Sequence, residues 1–237
     1  AAVADHAGER TITVDNPAER MEQLAKKFWG LDGETPKLWG VTGTNGKTTL
    51  TFLMEAALRA DGRESGLLGT VTNRIAGEVR PSQLTTPGLL ELYRFVAEVK
   101  EKGLNDLVLE VSSHALDQHR LGSLRLSAAA FTNLTQDHLD YHGSMESYYQ
   151  AKRKMFSEYL AAHGRGVVNV DDEYGRRIYS EFVEKIWRVS KEDRSAEIHL
   201  IKAENEGHSQ KLQISTPAGE LLITSPLIGL FNQENLL

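Results

Sequence analysis

Hydrophobic and polar positions change period several times along this chain, and each change marks a predicted element. Thr11–Val14 alternates like a short strand, and Asn16-Pro17 then opens a short helix that ends near Trp29-Gly30. Leu31–Lys37, with its Asp, Gly and Pro, reads as a linker. From Leu38 the pattern becomes strand, loop, helix. Leu38–Thr42 is a strand and Lys47–Ala60 a helix; Leu67–Thr72 is extended; Pro87–Lys102 is helical, with Leu89, Leu92, Phe95, Val96 and Val99 on one face. Leu107–Val111, Ala128–Thr132 and Val167–Val170 are short apolar runs of the kind buried on both faces of a parallel sheet. Ser144–Ala161 repeats with helical spacing. Strands that alternate with helices predict an α/β fold, a mostly parallel sheet flanked by helices with right-handed crossovers. The tail differs: Ile198–Ala203, Lys211–Ser215 and Glu220–Thr224 are separated by Glu206-Gly207 and Pro217-Ala218-Gly219, which predicts a small antiparallel meander near the C-terminus. A last helix begins as the sequence reaches Asn235-Leu236-Leu237, so the domain is expected to be truncated there.

Composition narrows the class. The 237 residues are 40% hydrophobic and 25% charged, which suits one large soluble domain. A net charge of −6 gives no footprint for nucleic acid or an anionic membrane surface. There is no cysteine, which excludes disulfides and thiolate metal sites. No apolar run reaches membrane-spanning length, and the first residues lack a signal-peptide pattern. A cytoplasmic protein is the expectation.

Leu38–Thr49 reads LWGVTGTNGKTT, a strand running into a glycine-rich loop and then a helix. Such a loop turns successive N–H groups inward, and the helix N-terminus adds positive potential, so the segment suits a nucleotide triphosphate. Lys47 would reach the terminal phosphates and the Thr48 hydroxyl would ligate Mg²⁺. The strict G-x-x-x-x-G-K-S/T pattern is not met: Val41 stands five before Gly46, with glycines at Gly40 and Gly43 instead. The fold is therefore α/β of the P-loop type with a shifted loop.

Further residues carry chemistry beside a plainer reading. Glu110 ends an apolar strand, where ligands bind in open α/β sheets; it is either a hard oxygen ligand for Mg²⁺ or a carboxylate facing solvent. Met145, Tyr148, Tyr149, Met155, Phe156, Tyr159 and Leu160 form the apolar stripe of the Ser144–Ala161 helix, and Lys152, seven residues after Met145, falls within it while Lys154 does not. A buried lysine loses its charge readily, and a neutral amine reacts with CO₂ to give an anionic carbamate. The alternative is a lysine whose ammonium snorkels to water. Thr85 and Thr86, before Pro87, are free to cap a helix or to touch a ligand. His114, His138 and His142 match no common zinc spacing.

The motifs in combination resemble the Mur ligase family, the ATP-dependent enzymes that add amino acids to the UDP-MurNAc peptide. The resemblance rests on TGTNGKT, Leu84-Thr85-Thr86-Pro87, Glu110-Val111-Ser112-Ser113-His114, Phe131-Thr132-Asn133-Leu134, Asp137–Gly143, Ala151-Lys152 and Gly229–Asn235. It runs from about Lys37 to the end and is nearest the MurE branch, which adds the third residue of the peptide stem. The resemblance implies that residues 37–237 are the central ATP-binding domain and residues 1–36 a remnant of the uridine-binding N-terminal domain with its linker. The C-terminal domain, which selects the incoming amino acid, is then absent, and little ligase activity is expected of this piece alone.

The same resemblance implies roles. Gly43, Thr44, Asn45, Gly46, Lys47, Thr48 and Thr49 would hold ATP, with Asn232 and Asn235 near the adenine. Thr48, Glu110, His138 and a carbamate on Lys152 would hold two Mg²⁺ ions. Thr85, Thr86, Ser112, Gln118 and Arg120 would hold UDP-MurNAc-dipeptide, with Arg120 facing an anionic group. The reaction implied is transfer of the γ-phosphoryl to the substrate carboxylate and attack on the acyl phosphate by an amine, in a monomer. Two other readings remain open at this stage: a folylpolyglutamate synthase or another ligase of the superfamily, and an isolated ATP-binding module without catalysis.

Overall fold

The computed structural model describes residues 14–237. The expected strand at Thr11–Val14 lies outside them but for Val14, which belongs to no strand. Eleven strands form one sheet: β1 (Lys37–Thr42), β2 (Gly66–Leu68), β3 (Thr72–Ile75), β4 (Glu78–Pro81), β5 (Asp106–Glu110), β6 (Leu126–Phe131), β7 (Leu160–Asn169), β8 (Ile186–Ser190), β9 (Ile198–Glu206), β10 (Ser209–Thr216) and β11 (Gly219–Ser225). They lie in the order β11-β10-β9-β8-β7-β6-β1-β5-β2-β3-β4. From β9 across to β2 every neighbouring pair is parallel. An antiparallel hairpin extends each end, β3/β4 on one side and β10/β11 on the other. The meander expected at the C-terminus is present and continues the sheet, because β9 pairs with β8 through Val189 and Ile198.

Eight α-helices accompany the sheet among the described residues: α1 (Pro17–Phe28), α2 (Lys47–Ala60), α3 (Leu89–Glu101), α4 (Ser113–Asp117), α5 (Leu139–His142), α6 (Met145–Lys154), α7 (Glu173–Glu181) and α8 (Leu230–Leu236). Helix α1 starts where the sequence placed it, with the Asn16 side chain accepting from Glu19 N–H and Pro17 in the first turn. It docks on the domain through Glu22, whose Oε1 accepts the Tyr93 hydroxyl and the Ser123 N–H at 2.7 Å each.

Every residue of β5 is buried, as expected of a strand at the centre of a parallel sheet. Leu109 is fully buried beside the site described below. Leu109→Ala is expected to lose about 2–5 kcal/mol of unfolding free energy, read as a lower urea midpoint at unchanged slope.

Three expectations needed correction. The extended run Leu67–Thr72 is two strands, because the chain turns at Gly69–Val71 and β3 comes back antiparallel to β2. The Ser144–Ala161 helix stops at Lys154, passes through one π-helical turn over Met155–Tyr159, and gives way to β7 at Leu160. The apolar spacing that extended the sequence reading belongs to that turn, whose Met155, Phe156 and Tyr159 are all buried. Helix α3 begins at Leu89 with Gly88 as its N-cap and no side-chain cap, so Thr85 and Thr86 do not cap it.

Candidate functional site

The strands β1, β2, β5 and β6 run parallel or through parallel neighbours, and their carboxyl ends gather at one edge of the sheet. The loops that leave them build the site. After β1 the chain makes the phosphate loop, in which Gly43 (φ 150) and Gly46 (φ 88) take conformations that disfavour side chains. The loop is braced from β6: Thr44 N–H donates to Asn133 O at 2.8 Å, and Asn45 N–H donates to Asn133 Oδ1 at 3.0 Å. Gly46 then starts α2, whose first residues are Lys47, Thr48 and a half-buried Thr49.

Lys47 and Lys152 meet on one atom. Lys47 Nζ donates to Gly43 O and Thr44 O, both at 2.9 Å, and Lys152 Nζ donates to the same Gly43 O at 2.8 Å. Lys152 is 1% exposed, so it does not snorkel to water. Burial, reinforced by the neighbouring Lys47, holds its amine well below the usual lysine range. Burial also lowers Lys47, but Glu110 and Asp137 oppose that shift. Asp137 opposes the shift at Lys152 too, but Lys152 lacks the Glu110 contribution and is the more deeply buried, so its amine is lowered further. The predicted contrast along the helix holds: Lys154 is exposed enough to pair with Asp117 at 3.2 Å.

Glu110 is buried at the end of β5 and faces into the site, not to bulk solvent. Its Oε1 accepts the Thr48 hydroxyl and the Thr70 N–H, each at 2.9 Å, and Oε2 accepts the Thr70 hydroxyl at 2.8 Å. A Cβ at Gly69 would lie 2.4 Å from Oε1, so glycine there lets the backbone reach the carboxylate. Sequence reading missed Thr70. The available signal was its place just after a buried strand, Leu68 being paired with Leu109 one residue before Glu110.

The dipeptide candidates form a connected rim. Thr70 and Thr85 share a hydroxyl contact of 3.0 Å. The buried Thr86 hydroxyl donates to Glu110 O at 2.8 Å and accepts Ser112 N–H at 3.0 Å. Arg120 Nη1 donates to Thr86 O at 2.7 Å, and its Nε and Nη2 donate to Gln118 Oε1. Ser112 also caps α4 by accepting Ala115 N–H at 3.2 Å.

His138 precedes α5 in a left-handed conformation (φ 51) with its side chain about half exposed. Its ring sits 5.1 Å from that of His114 and 6.0 Å from that of Tyr148. Tyr148, seen in the sequence only as part of an apolar stripe, joins the parts. Its ring lies 4.7 Å from Lys152 Nζ, stacks on His142 and touches Thr44 Oγ1 through its hydroxyl at 3.3 Å. Burial and the neighbouring His138 lower His114, while burial and His114 lower His142. Among the described residues no three His, Cys, Asp or Glu side chains cluster as a ready-made metal site. At the far side, a Cβ on Gly46 would lie 2.5 Å from Asn235 Oδ1, so α8 closes on the phosphate loop. Asn235 Nδ2 donates to Asn232 Oδ1 at 3.3 Å, and Asn232 Nδ2 donates to Ile228 O at 2.9 Å.

The family model of the Mur ligase middle domain matches residues 41–237. A relative named UDP-N-acetylmuramoyl-L-alanyl-D-glutamate–2,6-diaminopimelate ligase, from Synechococcus sp. (strain WH7803), is 43% identical over 233 residues, 97% of this chain and 46% of that protein. One of the same name from Nostoc sp. (strain PCC 7120 / SAG 25.82 / UTEX 2576) is 41% identical over 95% of this chain and 46% of that protein. The chain thus spans just under half the length of these relatives. A solved structure of a ligase with that name superposes with a TM-score of 0.80 at 28% identity, covering 92% of this chain and 45% of that one. The apo form of L. casei FPGS, at a TM-score of 0.70 and 14% identity over 95% of this chain and 62% of that one, shares the fold alone. With residues 41–237 matched by the family model, this chain belongs to the Mur ligase middle-domain family.

Proposed function

We propose that this chain is the ATP-binding part of an amide ligase of peptidoglycan precursor synthesis, which adds the third amino acid to UDP-MurNAc-L-Ala-D-Glu. Residues 37–237 supply that part, and residues 1–36 belong to a preceding uridine-binding unit and its linker. The names of the relatives make 2,6-diaminopimelate the amino acid to test. The observation that carries the reading is the meeting of Lys47, Lys152, Thr48 and Glu110 around Gly43 and the head of α2. A monomeric, cytoplasmic enzyme is part of the same proposal; no helix among the described residues is long and apolar enough to cross a membrane.

The donor set fits Mg²⁺. Thr48 Oγ1 and the Glu110 carboxylate are hard oxygens 2.9 Å apart beside the phosphate lysine. Glu110, His138 and a carbamate on Lys152 would hold a second ion, and Tyr148 contacts both His138 and Lys152. Bound Mg²⁺ would neutralise phosphate charge and hold the acyl carboxylate near the γ-phosphate. The loop N–H groups and Lys47 would grip the β- and γ-phosphates, so that chemistry is mainly positioning and charge neutralisation. Thr85, Thr86, Ser112, Gln118 and Arg120 would orient the dipeptide, whose carboxylate takes the γ-phosphoryl group to give an acyl phosphate and ADP. Asn232 and Asn235 would border the base. An amine then displaces phosphate to form the amide.

The test is ADP and phosphate release by the purified chain with ATP, Mg²⁺ and UDP-MurNAc-dipeptide, with and without bicarbonate. ADP formation that depends on the dipeptide supports the proposal. Nucleotide binding with no dipeptide response would favour a non-catalytic module, and a response to folate in place of the dipeptide would favour a folylpolyglutamate synthase. Removing the Arg120 guanidinium should weaken dipeptide binding by roughly 10- to 100-fold, the value of a charge-assisted hydrogen bond. Calorimetry of Arg120→Ala should show this with ADP affinity unchanged.

A further inference from the structure

The turn that carries the chain from β2 to β3 is built around the Glu110 carboxylate. Gly69 N–H donates to Asn73 Oδ1 at 3.2 Å, which ties the turn to the strand that follows. Thr70 then reaches Glu110 twice: its N–H donates to Oε1 at 2.9 Å and its hydroxyl to Oε2 at 2.8 Å. The terminal torsion of a glutamate is soft, so a carboxylate held at one oxygen can still turn about it. Donors from one residue on both oxygens fix the plane of this one. Thr70 is exposed while Glu110 is buried, so the hydroxyl stands between the carboxylate and the open site.

The acceptor positions of Glu110 are nearly filled. An ionised carboxylate has about four lone-pair sites. Thr70 takes two, and the Thr48 hydroxyl takes a third, on Oε1 at 2.9 Å. Among the described residues Oε2 accepts from the Thr70 hydroxyl alone, so the open lone pair is on that oxygen. The sense of the neighbouring contact follows as well. The single Thr70 hydroxyl proton is committed to an oxygen that can only accept, so across the 3.0 Å contact Thr85 donates to Thr70. A hydrogen-bond chain thus runs from Thr85 on the rim through Thr70 to Glu110, and each bond polarises the next.

We propose that Thr70 is a positioning residue for the Mg²⁺ site: it orients the Glu110 carboxylate for the cation and ties that carboxylate to Thr85 on the dipeptide rim. The proposal rests on the reading of Glu110 as a cation ligand given above. Hydrogen-bond partners of a metal-binding carboxylate typically contribute about 10- to 100-fold in metal affinity.

Calorimetry of ADP binding by the whole chain at a series of Mg²⁺ concentrations reads the site without turnover. Thr70→Val keeps the side-chain shape and the N–H but removes the hydroxyl. It should raise the Mg²⁺ requirement for tight ADP binding about tenfold, with the metal-free ADP affinity unchanged. Thr70→Ser keeps the hydroxyl and should restore the original requirement. Thr85→Val should shift the requirement less, and not at all in the Thr70→Val background, because its proton reaches Glu110 only through Thr70. A threonine that merely satisfied a buried carboxylate would lower the urea midpoint of Thr70→Val and leave the Mg²⁺ requirement where it was. That result would overturn the proposal, as would Thr70→Ser behaving like Thr70→Val. Glu110→Gln separates the proposal from the reading beneath it. If Glu110→Gln loses the Mg²⁺ dependence while Thr70→Val keeps it intact, only the role of Thr70 falls. If Glu110→Gln and the unaltered chain share one Mg²⁺ requirement, Glu110 is not a cation ligand and both fall.

Discussion

Lys152→Ala is expected to reduce dipeptide-dependent ADP formation by at least about a hundredfold, the scale set by removing one preorganised charge-stabilising group, while nucleotide affinity changes little. The reason lies in the shared carbonyl. Lys47 and Lys152 both donate to Gly43 O, so two ammonium groups there would repel each other in a poorly solvated place. Lys152 is 1% exposed, and burial with the neighbouring Lys47 lowers its amine well below the usual lysine range, so it is the one expected to give up its proton. Its neutral amine can attack CO₂: a nitrogen–carbon bond forms, a proton leaves to solvent, and the cationic site becomes an anionic oxygen donor. The expected mass gain is one CO₂ per chain, with a carbamate carbon signal after labelling by ¹³C-bicarbonate. That signal should fade as pH falls, because protonation of the amine removes the nucleophile. A short carboxylic acid added to Lys152→Ala should restore part of the rate by supplying the missing oxygens, which a purely structural lysine would not allow. Normal turnover by Lys152→Ala would remove the carbamate from the mechanism.

Lys152 shows how much of the site the sequence could carry. Its place in an apolar stripe follows from helical spacing alone, and the structure buries it as that spacing required. Lys47 and Glu110 were legible for a similar reason, since a strand end or a helix start is a local pattern. Thr70 was not, because its value depends on β2 lying beside β5 with Leu68 opposite Leu109, a pairing between segments forty residues apart that no local period encodes. The β3–β4 hairpin was missed for another reason. Its turn uses Ala76 (φ 50) and Gly77 (φ 80), and left-handed alanine is not a residue that announces a turn. The apolar run after Lys154 misled in the opposite direction. Burial was read correctly, but a π-helical turn and a strand bury those side chains as well as the longer helix would have done.

Gly43→Ala is expected to damage both the fold and the nucleotide site, and the two effects can be separated. The φ of 150 at this position disfavours any side chain, and a Cβ there would lie 1.9 Å from Thr132 Oγ1 and 3.2 Å from both Asn133 N and O. Together the backbone strain and overpacking should lower stability by about 3 kcal/mol. The neighbours cannot simply retreat. Thr132 Oγ1 donates to Asn45 O at 2.5 Å, and Asn133 accepts both Thr44 N–H and Asn45 N–H, so moving them pulls the phosphate loop from its brace. Displacing Gly43 O also strands the two lysines that meet on it. Affinity for ADP should therefore fall by about a hundredfold, the combined value of roughly two charge-assisted contacts. Chemical denaturation and ADP calorimetry measure the two effects independently. Thr132→Ala removes the atom in closest conflict, so Gly43→Ala combined with Thr132→Ala should be less destabilised than the two single changes added together. Strict additivity would show that the clash is not the cause, leaving only the backbone conformation of Gly43 to explain the loss.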